Sequence, residues 1–187
     1  VPIIVIISSE DDPQEFIVLA RRLDKIKEVV AIELNISCPN IKNPKSKIQN
    51  PRLISQDPEA TYNLVSAVRK VTQKTLITKL SPNVTDITEI AMAAQNAGSD
   101  AVSLINTLTA MSIDIETRKP KIAIVTAGLS GPAIRPIAVR MVWEAYQKIK
   151  IPIIGMGGII DISSALGFFI AGATAIAVGT ANFINPK

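Results

Sequence analysis

The single cysteine of this chain, Cys38, is the residue best suited by type and position to do chemistry. It lies in the segment Ile32–Asn40, at the end of an apolar strand-like run and directly before the rigid Pro39. Because the chain has no histidine, proton transfer near neutral pH must use a thiol, an amine, a hydroxyl or a carboxylate. A free thiol has a pKa of about 8.5, so a modest fall would make it a usable base. A lone cysteine is also commonly a small buried apolar residue, and that alternative stays open.

A second candidate is Lys79, which lies within the otherwise apolar run Leu76–Leu80. Lysine rarely occupies such a run unless it is paired. One interpretation is a lysine at a strand end that extends its amine to solvent. The other is a fixed cation for an anionic cofactor, which we favour because the polar segment Ser81–Asn83 ends the strand.

Polar residues and glycines follow the later apolar runs. Asn106 and Thr107 end one run and suit the recognition of a polar ring or carboxylate, although asparagine is also common in ordinary turns. Glycines cluster in Gly128–Pro132, in Gly155–Gly158 and in Gly179–Thr180. Glycines at helix starts expose backbone N–H groups that bind phosphate, so three such sites together predict an anion cradle.

These residues are positioned by alternating predicted strands and helices. The strand candidates are rich in Ile and Val and are apolar throughout, as strands buried on both faces are. They are Ile3–Ile7, Val30–Ile36, Leu76–Leu80, Ala101–Ile105, Pro152–Gly155 and Ala173–Val178. The helix candidates carry N-terminal Asp or Pro and C-terminal Gly signals. They are Pro13–Lys27, Pro58–Gln73, Thr85–Ala97, Pro132–Lys148 and Ile162–Ala171.

The repeated β-α order predicts an α/β fold with a parallel sheet, either a closed barrel or an open doubly wound sheet. No Gly-x-Gly-x-x-Gly follows a strand, which disfavours a dinucleotide-binding open sheet. Polar residues after nearly every strand favour a (β/α)8 TIM barrel. About six of its eight β/α units are present, so we expect residues 1–187 to form a single partial barrel domain. We expect the missing units to lie upstream of Val1.

Composition excludes several other classes. The chain has 187 residues, a net charge of +4 and only 4% aromatic residues, which does not suit a general nucleic-acid binder. No apolar run is long enough to span a bilayer, and no secretory signal opens the sequence. One cysteine cannot form an internal disulfide, so we expect a reducing, cytoplasmic location. We predict no metal site.

Two long connections interrupt the β-α order. The irregular, lysine-rich stretch 41–56 is either a solvated basic loop or a lid over the Cys38 end of the barrel. The second connection, Leu108–Leu129, carries Arg118 and Pro120.

Six segments together resemble the catalytic subunit of class 1 dihydroorotate dehydrogenase. They are Ile32–Asn40, Ile77–Asn83, Ile105–Leu108, Gly128–Pro136, Pro152–Gly158 and Ala177–Asn182. The string Gly128–Ile134, and Thr117-Arg118 with Pro120, resemble the NAD-linked subclass 1B. The resemblance implies an FMN-binding (β/α)8 barrel that oxidises dihydroorotate to orotate in de novo pyrimidine biosynthesis.

The resemblance also implies a role for each matched residue. Cys38 would remove the C5 proton of dihydroorotate while C6 passes hydride to the flavin N5. Lys79 would lie near the N1/O2 edge of the flavin, and Asn35 would touch both substrate and FMN. The other implied substrate-binding residues are Asn40, Asn106 and Thr107. The other implied FMN-binding residues are Ile105, Gly131, Gly157, Gly158, Gly179 and Thr180.

The resemblance further implies a homodimer, or a heterotetramer with a second subunit that carries FAD and a [2Fe-2S] cluster. Two alternatives remain. One is a related flavin barrel acting on another reduced pyrimidine. The other is a non-catalytic barrel remnant serving as a scaffold, since Ile4–Ser8 lacks an asparagine that the family usually has there.

Overall fold

The six apolar runs form one parallel sheet in the computed structural model, which describes residues 2–9, 12–37, 54–184 and 186. Each observed strand lies within a residue or two of its predicted bounds, which is the usual disagreement at strand ends. The ten strands of the described residues are β1 (Ile3–Ile7), β2 (Val29–Asn35), β3 (Thr75–Lys79), β4 (Ala101–Leu104), β5 (Leu108–Ala110), β6 (Ile113–Asp114), β7 (Lys119–Pro120), β8 (Ala127–Leu129), β9 (Ile153–Met156) and β10 (Ala175–Ala177).

The strand order of the main sheet decides between the two predicted architectures. It runs β1-β2-β3-β4-β9-β10, so each strand pairs with the next strand of the β-α series and the order never reverses. A doubly wound sheet reverses its order at a switch point, whereas a barrel does not. The described sheet is therefore six consecutive strands of a barrel, as the sequence predicts.

Five helices connect these strands in the described part of the chain. They are α1 (Pro13–Asp24), α2 (Pro58–Arg69), α3 (Ile87–Asn96), α4 (Arg135–Tyr146) and α5 (Ile162–Ile170). Four begin at an Asp whose side chain accepts a backbone N–H of the first turn, which satisfies a donor that the helix leaves unpaired. These N-caps are Asp12, Asp57, Asp86 and Asp161. Gly98 and Gly172, at φ +97° and +111°, follow α3 and α5 as predicted.

The predicted helix Pro132–Lys148 is wrong at its start. Residues Pro132–Ile134 form a 3₁₀ turn, and the α-helix begins at Arg135. Pro136 has no N–H to donate to the carbonyl of Pro132, and its ring occupies that space, so an α-helix cannot run through both residues. The stretch predicted as irregular also ends in a 3₁₀ turn, Ile54–Gln56, while 41–53 lie outside the described residues.

The core lies on one face of the sheet. Ile32, Leu76 and Val102, which point to that face, pack with residues of the helices in the two large buried clusters. The alternate residues Ala31, Ile77 and Ala101 form a small third cluster on the opposite face. We call this the inner face of the sheet, because in a barrel the helices cover the outside.

The connection from Leu108 to Leu129 contains structure that the sequence did not predict. Strands β5 and β8 pair antiparallel, and β6 pairs with β7 beyond them. Separately, none of the helices within the described residues is long and apolar enough to cross a membrane.

Replacing Gly167 by alanine is expected to stabilise the fold. Gly167 lies inside α5, and among the described residues no atom beyond its chain neighbours and the backbone of its own helix lies within 4 Å of the position that a Cβ would take. Glycine in a helix interior costs roughly 0.5–1 kcal/mol relative to alanine. The midpoint of thermal unfolding should therefore rise by about 1–4 °C. A lower midpoint would contradict the open space found at this position.

Candidate functional site

A cavity of about 840 Å³ opens on the inner face, at the carboxyl ends of the barrel strands. Its walls combine apolar side chains with Lys79 at the end of β3 and with residues that follow β4, β9 and β10. Nine of the residues predicted from the sequence line it, namely Lys79, Ile105, Asn106, Thr107, Gly131, Gly157, Gly158, Gly179 and Thr180. The predicted residues Cys38 and Asn40 lie outside the described residues.

Asn35, the remaining predicted residue, reaches this site through a polar network at the ends of β2 and β4. The Asn106 amide donates to Ser37 Oγ at 2.8 Å and to Asn35 Oδ1 at 3.2 Å. The Ser37 hydroxyl, fully buried, donates to Asn35 Oδ1 at 3.0 Å. The side-chain oxygen of Asn106, Oδ1, accepts the backbone N–H of Thr107 at 2.8 Å. Ser37, which sequence reasoning did not single out, therefore fixes the orientation of both amides.

The glycines approach one another on the opposite side of the cavity. Gly157 and Gly158 have φ values of +124° and +76°, which favour glycine, and they continue from β9. A Cβ on Gly158 would lie 2.8 Å from the carbonyl oxygen of Gly131, so the two loops touch backbone to backbone. The Thr180 hydroxyl donates to Ser130 Oγ at 3.1 Å and joins the end of β10 to the same place. We call Gly131, Gly157, Gly158 and Gly179 the glycine rim.

A protein-family model described as dihydroorotate dehydrogenase matches residues 1–187. The chain belongs to the dihydroorotate dehydrogenase family. The resemblance found in the sequence is thus confirmed, and the curled parallel sheet is part of the TIM barrel that this family forms.

Several curated members of the family are close relatives of the chain. Proteins named dihydroorotate dehydrogenase B (NAD(+)), catalytic subunit, are 56% identical in Trichlorobacter lovleyi, 55% in Caldicellulosiruptor bescii and 54% in Geotalea uraniireducens. Each match covers 93% of this chain and 55% of the relative. The chain therefore spans about half the length of the curated relatives it matches.

A largely buried ion pair lines the cavity, and the sequence predicted only its lysine. Lys79 Nζ lies 3.5 Å from Oε1 of Glu33, and the other oxygen of Glu33 accepts the Ser103 hydroxyl at 2.9 Å. Glu33 is only 5% exposed, although it stands in β2 between Ile32 and Leu34. A charged residue in an apolar strand is the signal that singled out Lys79, and the same signal identifies Glu33 as its partner.

Asn83 is a further residue of the site that the sequence did not reveal. Its amide donates to Ser81 Oγ at 3.0 Å and to the carbonyl of Thr107 at 3.1 Å. Its own side-chain oxygen accepts the N–H of Thr109 at 2.8 Å. Asn83 thereby ties the end of β3 to the segment that carries Thr107 and holds that wall of the cavity in place.

Two charged residues, Asp161 at the start of α5 and Arg135 at the start of α4, lie near the glycine rim. The pKa of Asp161 lies below its usual value chiefly because its carboxylate accepts the backbone N–H of Ser164, with the nearby Ser164 hydroxyl and the positive charge of Arg135 contributing. The cap of α5 is therefore ionised at neutral pH. Arg135 itself packs against Gly158, where its Cβ would lie 2.9 Å from an added Cβ.

Replacing Gly128 by alanine is expected to destabilise the protein, because the new methyl group would clash with Thr107 of the site. A Cβ at Gly128 would lie 2.0 Å from Thr107 Oγ1 and 2.5 Å from Thr107 Cβ. Since a threonine Cβ cannot move without its backbone, overpacking should cost about 1–3 kcal/mol of unfolding free energy. Urea unfolding should show this loss, whereas Gly167→Ala, the same change in open space, should be stabilising. Equal effects of the two substitutions would contradict the packing described here.

Proposed function

We propose that this chain is part of the catalytic subunit of an FMN-dependent dihydroorotate dehydrogenase, which oxidises dihydroorotate to orotate in pyrimidine biosynthesis. The observation that carries the proposal is the convergence of Lys79, Asn106, Thr107 and the glycine rim on one cavity. Relatives that share more than half of its residues are named as catalytic subunits of this enzyme.

The residues around the cavity fit FMN on chemical grounds. The walls include Ile105, Ile134 and Met156, which suit a flat, largely apolar ring. At the glycine rim, no described residue fills the space where a Cβ on Gly131 or Gly179 would lie, so their backbone groups can approach a ligand closely. Lys79 supplies a fixed positive charge at the floor of the cavity. An apolar slot, a cation and a glycine cradle are the groups that a flavin mononucleotide requires.

Bound FMN supplies the acceptor for a hydride, and the residues of this chain supply binding, orientation and proton transfer. Oxidation of dihydroorotate removes a proton from C5 and a hydride from C6. In our proposal the thiolate of Cys38 accepts the C5 proton and becomes a thiol. Asn35, Asn40, Asn106 and Thr107 hold the substrate ring.

Lys79 acts by charge alone in this scheme. Its ammonium would lie beside bound FMN and would favour negative charge on the ring. Because Lys79 is held by Glu33 and lies in a largely buried position, its charge is already in place before the reaction begins. The glycine rim and Thr180 hold the phosphate end of FMN.

We further propose that residues 1–187 form one partial barrel domain and that the complete subunit works as a homodimer. A second subunit carrying FAD and a [2Fe-2S] cluster would pass the electrons to NAD. This is supported by the NAD(+) in the names of the relatives and by the subclass resemblance of Gly128–Ile134. A cytoplasmic location is favoured by the single cysteine.

A flavin spectrum tests the proposed function. We expect the full-length protein that contains this chain to purify yellow, with FMN released on denaturation, and to bleach when dihydroorotate is added without an acceptor. Bleaching by dihydrouracil but not by dihydroorotate would instead support a barrel that acts on another reduced pyrimidine. Colourless protein that cannot be reconstituted with FMN would overturn the proposal and favour a non-catalytic remnant.

A further inference from the structure

Glu33 is a buried charge that the proposed reaction does not use. Its side chain lies on the inner face, in register with Ile6 of β1 and Ile77 of β3, and both neighbours are apolar. Burying a carboxylate in such surroundings is costly unless it is paired. A residue with this cost calls for an explanation beyond packing, since an apolar residue would fill the same space.

The two oxygens of Glu33 have different surroundings. Oε2 accepts the hydroxyl of Ser103, which is fully buried on the neighbouring β4. Oε1 is buried and has no hydrogen-bond partner among the residues that the structure describes, although Lys79 Nζ lies 3.5 Å away. One oxygen is thus anchored by Ser103, while the other faces the ammonium across a gap slightly longer than a hydrogen bond.

This geometry makes Glu33 the counter-charge of Lys79, although no short hydrogen bond joins the two groups among the described residues. The attraction between the two charges falls as the inverse of distance and is strong where water is scarce, so Glu33 still acts on Lys79 at 3.5 Å. At the same time, Lys79 and Glu33 both line the cavity, and the ammonium has three N–H groups with which it can bind a ligand. The negative charge of Glu33 offsets part of the positive charge that Lys79 presents there.

We propose that Glu33 is a positioning residue that holds Lys79 at the floor of the cavity and sets the reduction potential of the bound flavin. The inference rests on the proposed function, because it requires FMN beside Lys79. Without the carboxylate charge, Lys79 would stabilise the added negative charge of the reduced flavin more strongly. The potential of the flavin would therefore rise.

The test is the midpoint potential of FMN in the full-length protein, measured by reductive titration. Glu33→Gln keeps the shape and the acceptor oxygen but removes the charge. We expect the ratio of reduced to oxidised FMN at a fixed potential to rise about tenfold, which equals about 30 mV for a two-electron couple. Glu33→Asp keeps the charge and should restore the ratio to within about threefold of the unmodified protein.

A matched control is Glu144→Gln, the same change at a glutamate remote from the cavity. Glu144 pairs with Arg140 on α4 at 2.6 Å and does not line the cavity. It should leave the potential unchanged. Lys79→Met should lower the potential, opposite in sign to Glu33→Gln.

The possible results distinguish a failure of the proposed role of Glu33 from a failure of the proposed FMN-dependent function. An unmodified protein that holds no FMN would overturn the proposed function, and this inference with it. If FMN is bound and reduced but Glu33→Gln leaves its potential unchanged, only the inference is overturned. It is likewise overturned if Glu33→Asp shifts the potential as much as Glu33→Gln, or if Glu33→Gln alone fails to fold, because Glu33 would then be purely structural.

Discussion

Flavin reduction by dihydroorotate is expected to slow by about 10²- to 10⁴-fold at neutral pH when Cys38 is replaced by serine. A thiol loses its proton near neutral pH far more readily than an alcohol does, so the serine variant lacks a competent base. Because deprotonation of the alcohol becomes more frequent as the pH rises, the rate should partly recover under alkaline conditions. Single-turnover bleaching of the flavin, followed across neutral and alkaline pH, measures both effects.

A neighbouring substitution provides the control for this experiment. Ser37→Ala removes the hydroxyl that orients Asn35 and Asn106, without removing a base. It should raise the substrate concentration needed for half-maximal rate while leaving the shape of the pH profile unchanged. A Cys38→Ser protein that reduces its flavin at the unmodified rate would remove the thiol from the mechanism.

The sequence predicts the barrel strands well because each strand is determined by its own residues. A short run of Ile and Val between Gly, Pro and polar residues has few other ways to bury its apolar surface. Helix starts are predicted equally well where a local cap specifies them, as at Asp57. Two starts differ from the prediction: α3 begins at Ile87 and not at Thr85, because Asp86 caps it, and α4 begins at Arg135, because Pro136 excludes the helical bond to Pro132.

The sequence predicts the site less completely because the site depends on pairings between distant segments. Asn106 and Ser37 are 69 residues apart in the chain, and only the strand order brings their side chains together. Glu33 is inconspicuous in Ile32–Asn40 because its partner lies on the next strand and the same segment contains the only cysteine. The antiparallel pairing of Leu108–Ala110 with Ala127–Leu129 is also non-local, and neither segment is long enough to signal a strand alone.

Replacing Lys79 by methionine is expected to lower the free energy of unfolding by about 3 kcal/mol, apart from any loss of flavin binding. The reason is the carboxylate that remains. Glu33 is 5% exposed, and without the ammonium its charge is buried with the hydroxyl of Ser103 as its one hydrogen-bond donor among the described residues. We place the loss of unfolding free energy at the low end of the range for broken buried ion pairs. The reason is that the Lys79 side chain is 17% exposed, so water can reach part of the space that the ammonium leaves.

The double variant Lys79→Met/Glu33→Gln isolates this cause. With both charges removed, no unpaired charge stays buried, and stability should return to within about 1 kcal/mol of the unmodified protein. Lys27→Met, the same change at an exposed lysine, should alter stability by no more than about 0.5 kcal/mol. Urea unfolding of these four proteins together with the single variant Glu33→Gln measures the coupling between the two charges. If the double variant is as unstable as Lys79→Met, then packing of the lysine stem, and not the orphaned carboxylate, explains the loss. In that case Glu33 exerts little electrostatic pull on Lys79, and its influence on a flavin above that lysine would be correspondingly small.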